Sequence, residues 1–247
     1  MSGPHLQVSE TFFSQQGEGV SMGTPSLFCR LQGCNLSCGG QHTVRTGDLD
    51  SGATWRCDTI EIWTQGQRYS FDQLIDDWSQ KGWLRALQDG AHLIITGGEP
   101  LLQHAQLAPF LSHLRRHCTP VYVEVETNGT LAPSASLIEQ VQQWNVSPKL
   151  ANSGMALQKR RVESAIQVFC DLSPAAWFKM VVSDPSDLQE IESAFISPFQ
   201  VPKSQVLLMP AASDPVTLEQ VLTWLVPLAD AKGYRWSHRQ QIAQNFR

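Results

Sequence analysis

Apolar and polar positions alternate along this chain with two periods, and the period switches every ten to twenty residues. Leu27-Phe28-Cys29-Arg30-Leu31 is short and largely apolar, which predicts a strand. Leu93-Ile94-Ile95 predicts a buried strand that stops at Gly97-Gly98. Leu101, Leu102, Leu107, Phe110, Leu111 and Leu114 then recur at helical spacing. Val121-Tyr122-Val123-Glu124-Val125 alternates as a strand and ends at the turn signal Asn128-Gly129. Leu137, Ile138, Val141 and Trp144 predict the next helix. Phe178 to Val182 and Val206 to Met209 predict two more strands. A helical pattern follows each, around Leu188 to Phe195 and from Leu218 to Leu228, where Pro227 predicts the stop. Strands alternating with helices imply parallel pairing, so the expected class is α/β, built of βα units like a barrel. No repeat appears, and no stretch is rich enough in Pro, Gly or Ser to divide the chain. Residues 1–247 therefore read as a single domain.

Composition changes this picture little. A chain of 247 residues, 42% apolar and 17% charged, has ample material for one core and is not a disordered sequence. The net charge of −5 argues against direct nucleic-acid binding through a broad positive field, while leaving room for a local basic pocket. No apolar run approaches the roughly 18 residues of a membrane span. Met1-Ser2-Gly3-Pro4-His5 does not read as a basic and then apolar leader, so the expected location is the cytoplasm.

The cysteines change it more. Of six, Cys29, Cys34, Cys38 and Cys57 fall in the first quarter, while Cys118 and Cys170 are isolated. In a reducing compartment, clustered thiols are ligands or nucleophiles more often than bridges. In βα folds the chemistry sits at the carboxyl ends of strands. After Leu31 comes Gln32-Gly33-Cys34-Asn35-Leu36-Ser37-Cys38; after Ile95 comes Thr96-Gly97-Gly98-Glu99-Pro100; after Val125 comes Glu126-Thr127-Asn128-Gly129; Ser147-Pro148-Lys149 follows Trp144. Four reactive or Gly-rich segments would meet at one mouth. On the cysteines alone two sites stay open. One is an iron–sulfur cluster, for which thiolates are the usual ligands. The other is a zinc knuckle with His42 as a fourth ligand.

Taken together, these motifs resemble a known family. Cys34-x3-Cys38 with the later Cys57-Asp58-Thr59, and Gly97-Gly98-Glu99-Pro100, look like a radical S-adenosylmethionine (SAM) enzyme. Gln16-Gly17-Glu18-Gly19, Arg30, Glu126-Thr127-Asn128-Gly129 and Ser147-Pro148-Lys149, in that order, narrow the resemblance to the 7-carboxy-7-deazaguanine synthases. It runs from about residue 10 to residue 149 and more weakly to the end. It implies a partial (βα)6 TIM-like barrel, a [4Fe–4S] cluster, SAM and Mg²⁺. It also implies a lyase that converts 6-carboxy-5,6,7,8-tetrahydropterin to 7-carboxy-7-deazaguanine, with loss of ammonia, in 7-deazapurine (queuosine-type) biosynthesis. Flavodoxin or ferredoxin as electron donor and a homodimer are implied as well.

The resemblance assigns roles residue by residue. Cys34, Cys38 and Cys57 become cluster ligands. The family has two residues between its second and third cysteines; here residues 39–56 intervene, an inserted loop marked by Gly39-Gly40, Gly47-Asp48 and Ser51-Gly52. Such an insertion is tolerable because closure cost grows slowly with loop length. The rival set replaces Cys57 by Cys29, but Cys29 shares strand parity with Leu27 and Leu31, which predicts a packed core thiol. Arg30 has the opposite parity, and its planar fork suits a substrate carboxylate. Thr59 is implied as an Mg²⁺ ligand. Arg56, Cys57, Asp58, Gly98, Glu99, Ser147, Pro148 and Lys149 are implied around SAM, with Glu99 accepting from its ammonium. Gln15, Gln16, Gly17, Arg30, Thr96 and Glu126 are implied around the substrate; Arg30 and Glu126 are the catalytic pair. Of Glu124 and Glu126, one is expected to face the interior. In place of the Gln-Thr-His-Lys-like end of the family stands Arg235-Trp236-Ser237-His238-Arg239-Gln240-Gln241, from which no site residue is assigned. Two alternatives remain at this stage: a radical SAM activase of a glycyl-radical partner protein, and a non-enzymatic iron–sulfur or zinc protein.

Overall fold

The computed structural model describes residues 3–43, 49–50 and 52–246. Gly47, Asp48 and Ser51 of the insertion lie outside the described residues, as do Met1 and Ser2. Nine strands form one sheet: β1 (His5–Gln15), β2 (Pro25–Leu31), β3 (Gln67–Ser70), β4 (His92–Gly97), β5 (Tyr122–Thr127), β6 (Gln143–Val146), β7 (Ala176–Val182), β8 (Val206–Pro210) and β9 (Arg235–Trp236). Their order is β3-β1-β2-β4-β5-β6-β7-β8-β9. β1 runs antiparallel to β2 and β3, whereas β2, β4, β5, β6, β7 and β8 run parallel to one another. Those six strands with their crossovers are the expected (βα)6 partial barrel. β3 and β9 take the two edges and do not pair with each other, so the barrel stays open.

Side-chain parity divides the sheet into two chemistries. Leu27, Cys29 and Leu31 on β2, Leu93 and Ile95 on β4, and Val123 and Val125 on β5 all belong to the buried apolar core. So do Trp144 and Val146 on β6, Phe178, Met180 and Val182 on β7, and Val206 and Leu208 on β8. This face packs on the helices. The residues between them, Arg30, Thr96, Glu126, Asn145 and Lys179, line a cavity on the other face. A period of two thus separates what holds the barrel together from what it can do.

Local signals fix the helices that brace this wall. Phe71–Gln80 begins with a capping box, in which Gln73 N–H donates to the Ser70 hydroxyl and Ser70 N–H donates to the Gln73 side chain. It buries Phe71, Leu74, Ile75 and Trp78. Pro215–Lys232 begins at Asp214, which accepts from Thr217 N–H, and ends at left-handed Gly233. No helix among the described residues is long and apolar enough to cross a membrane.

Three sequence expectations change. The helix after β5 is short, Ala135–Ile138, and Trp144 lies in β6 instead. Trp144 and Val146, two apart, suit a strand whose alternate residues enter the core, and pairing with β5 and β7 decides the outcome. The last long helix passes through Pro227 and continues to Lys232, because Leu225 and Ala229 are buried on either side of the proline. Leu102 is exposed, since the first turn after β4 is a tighter helix, Pro100–Gln103, with a different phase.

Candidate active site

The carboxyl ends of the parallel strands open into one cavity of about 700 Å³. Cys34, Cys38 and Cys57 all line it, whereas Cys29 is fully buried in the core on the opposite face. The insertion does not separate the thiols. Cys57 N–H donates to the Cys38 carbonyl at 3.1 Å, closing residues 39–56 at their neck. The returning strand of the insertion is clipped to the barrel by Asn152. Its carbonyl accepts from Thr54 N–H at 2.8 Å, and its Oδ1 accepts from Trp55 Nε1 at 2.9 Å.

Burial pushes the Cys34 thiol up to about 11 and Cys38 to about 12, against the opposing pull of Lys149. Thiols of this kind become ligands by releasing their protons to water or a base while the bound metal compensates the thiolate charge. Among the described residues no group of three His, Cys, Asp or Glu side chains is placed to hold a single metal ion. A zinc ion would draw its sulfurs to about 2.3 Å. Three thiols lining one cavity fit an iron–sulfur cluster, where each thiolate takes its own iron.

The facing wall is polar. Arg30 and Glu10 are cross-strand partners, and Arg30 Nε donates to Glu10 at 2.9 Å. The guanidinium lies 6.0 Å from the centre of the Phe12 ring, which is stacked on Phe28. Glu126 accepts from Thr96 Oγ1 at 2.9 Å, Gln16 Nε2 at 3.2 Å and Lys179 Nζ at 3.3 Å. Glu124 faces the interior as well, because residues two apart on a strand share a face. It sits deeper, fully buried, taking bonds from Gln143 and Asn145 and pairing with His92. The expected choice between the two carboxylates is therefore a division by depth.

Four residues of this wall carry no assignment from the sequence: Glu18, Lys179, Arg239 and Gln241. Lys179 bridges Glu126 and Glu18, each at 3.3 Å. Burial alone would lower the Lys179 pKa, but the two carboxylates raise it, so it stays cationic. Burial alone would raise Glu18; Arg239 first and Lys179 next outweigh it and hold the carboxyl near 2. Arg239 donates to Glu18 at 2.9 Å and to Asp58 at 2.9 Å. Gln240 N–H donates to the Gly17 carbonyl, and the Gln241 side chain reaches Glu18. The tail that departs from the family pattern thus enters the site by other residues.

The remaining expected residues are distributed unevenly. Gln15, Gln16, Gly17, Arg56, Asp58, Thr59, Gly98, Ser147 and Lys149 line the cavity. Thr59 Oγ1 lies 3.4 Å from Cys57 Sγ, and Lys149 donates to Ser147 at 3.0 Å. Gly98 is held against the cluster loop: a Cβ there would strike the Gly33 carbonyl and lie 2.5 Å from Cys34 Cβ. Pro148 is not part of the lining. Neither is Glu99, which is fully buried beneath it. Burial raises its pKa, and its carboxylate accepts from Leu101 N–H, Thr127 Oγ1 and Asn128 N–H. Glu99 therefore ties the β4 end to the β5 end, and is not placed to receive an ammonium from the cavity.

The profile of a 4Fe-4S single cluster domain matches residues 15–168. The 7-carboxy-7-deazaguanine synthase of Pyrobaculum aerophilum is 33% identical over 97% of this chain and 94% of its own length. The chain belongs to the 7-carboxy-7-deazaguanine synthase family. Family members from Halobacterium salinarum and Rhodopirellula baltica are each 30% identical, over 98% and 96% of the chain and 91% and 85% of their own lengths. Two solved structures share the fold. The crystal structure of QueE from Escherichia coli has a TM-score of 0.62 at 22% identity, covering 96% of this chain and 94% of that one. Native anSMEcpe with bound AdoMet and Cp18Cys peptide has a TM-score of 0.50 at 16% identity, covering 83% and 59%. For a 7-carboxy-7-deazaguanine synthase, three thiols at the strand ends are the expected seat of the iron–sulfur cluster.

Proposed function

We propose that this chain is a radical SAM carbon–nitrogen lyase that converts 6-carboxy-5,6,7,8-tetrahydropterin to 7-carboxy-7-deazaguanine and ammonia, in 7-deazapurine (queuosine-type) biosynthesis. The observation that carries this reading is that one cavity is lined both by three thiols, Cys34, Cys38 and Cys57, and by Arg30, Glu126 and Lys179. Cys34, Cys38 and Cys57 would hold the [4Fe–4S] cluster, with one iron left open for SAM. When bound, the cluster and SAM supply a 5′-deoxyadenosyl radical able to take a hydrogen atom from the substrate.

The chain's own residues supply binding, orientation and protection from water. Arg30 forms its one side-chain hydrogen bond among the described residues to Glu10, so it keeps donors for the substrate carboxylate. Glu126, fixed by Gln16, Thr96 and Lys179, accepts from the N–H edge of the pterin. Lys149 forms no ion pair among the described residues, which suits it to the carboxylate of SAM. Gly98 admits SAM close to the backbone. Thr59 offers Mg²⁺ one oxygen, the remaining positions being water and substrate. The resemblance supports flavodoxin or ferredoxin as electron donor and a homodimer, and ligand thiols of this kind fit a reducing, cytoplasmic compartment.

Anaerobic incubation of the reconstituted protein with SAM, dithionite, Mg²⁺ and the carboxypterin tests the proposal. 7-Carboxy-7-deazaguanine formed without a partner protein is the expected result. A fully loaded enzyme that yields none overturns it.

A further inference from the structure

Arg56 carries a charge that the described residues leave partly unsatisfied. Its side chain is only 3% exposed. Nη2 pairs with Glu61 at 2.7 Å, but Nε and Nη1 are buried without a hydrogen-bond partner among the described residues. Two unmet donors on a buried cation are costly, and a folded protein keeps such a group where something other than protein accepts from it. The position of Arg56 narrows what that is. It lines the same cavity as the three thiols and directly precedes Cys57. Its backbone is pressed against Gly39, the residue after Cys38. A Cβ on Gly39 would lie 2.5 Å from Arg56 Cα and 2.8 Å from Arg56 Cβ, and Gly39 also holds a left-handed φ of +77°. The chain thus gives up a side chain beside the second thiol, and the arginine lies between two of the three cysteines.

We propose that Arg56 donates to sulfur of the cluster held by Cys34, Cys38 and Cys57, and so raises its reduction potential. The inference rests on the reading of the cavity given under Proposed function. Reduction adds one negative charge to the cluster. Net charge and hydrogen bonds to sulfur are among the factors that set iron–sulfur potentials. A guanidinium with two available donors favours the more negative state, so its removal makes the cluster harder to reduce. Glu61, on the solvent side, fixes the third nitrogen and with it the direction of the fork.

The test uses Arg56→Gln and Arg56→Lys, reconstituted anaerobically, with iron and sulfide counted before a spectroscopic redox titration in the absence of SAM. With a full cluster, Arg56→Gln is expected to lower the reduction equilibrium at least tenfold, about 59 mV for a one-electron couple. Arg56→Lys keeps the charge and is expected to fall between Gln and wild type. An unchanged potential in Arg56→Gln overturns the inference. So does an unchanged potential with weakened SAM binding, which would give the guanidinium to SAM. Should Arg56→Gln not retain iron, wild-type protein carrying isotopically labelled arginine decides. A nitrogen coupling to the reduced cluster is expected, and its absence overturns the inference. Wild-type protein that takes up no iron would instead remove the reading of the cavity itself.

Discussion

Arg239 donates to Asp58 across 2.9 Å, so a residue from the tail is bonded to the residue that follows Cys57. The same guanidinium donates to Glu18 at 2.9 Å and to the Ala212 carbonyl at 2.7 Å. Through Glu18 and Lys179 the chain of charges reaches Glu126. The loop bearing the third thiol and the wall assigned to the substrate are therefore one connected network. Arg239, just before the last helical turn among the described residues, Gln240–Ala243, sits at its centre.

Arg239→Met is expected to destabilise the fold by roughly 3 kcal/mol, because Glu18 loses its nearest cation while still largely buried. The half-exposed Asp58 adds little to that sum. Urea unfolding measures the difference. A free energy within about 1 kcal/mol of wild type would show that the tail does not hold the site.

Glu18 gives stability a definite pH dependence. Its folded pKa is near 2, against an ordinary value of 4.5. The fold favours the ionised form, so the contribution is complete above about pH 4.5 and disappears as pH falls towards 2. It amounts to something on the order of 3 kcal/mol. Glu18→Gln should lower stability at neutral pH and flatten its decline between those two values. An acid limb as steep as that of wild type would contradict this assignment.

Cys57→Ala is expected to abolish cluster binding, and Cys29→Ala to retain it at a cost of about 1 kcal/mol in core packing. Iron and sulfide analysis after anaerobic reconstitution distinguishes the two. A Cys57→Ala protein with a complete cluster would return the third ligand to Cys29.

Glu99→Gln should unfold more easily by roughly 1–3 kcal/mol. An amide offers one acceptor oxygen where the carboxylate now serves three donors, and its NH₂ group is forced against one of them. Thermal unfolding reads this directly. Wild-type stability combined with a selective loss of SAM affinity would instead place the Glu99 side chain in the cavity.

Much of the site is legible in the sequence because strand ends are local. Gly98, Thr96, Glu126, Ser147 and Lys149 lie in short segments that follow apolar runs, and parity alone separates Arg30 from Cys29. What escapes is whatever depends on distant pairing. Lys179 reads as an ordinary strand residue until β7 is placed opposite the Gln16-Gly17-Glu18-Gly19 loop. Arg239 looks like any arginine of a tail until that tail folds back over the cavity. Glu99 is misplaced for a related reason: its motif gives its position along the chain, while the donors that occupy it come from β5. Trp144 belongs to the same class, since its helical spacing yields to the strands on either side.

The hydrogen bond between Cys57 and Cys38 holds side by side two residues that eighteen others separate along the chain. Counting along the chain is therefore no measure of how far apart Cys38 and Cys57 stand. A change in the number of residues between the two cysteines need not move either of them, because closure cost grows slowly with loop length.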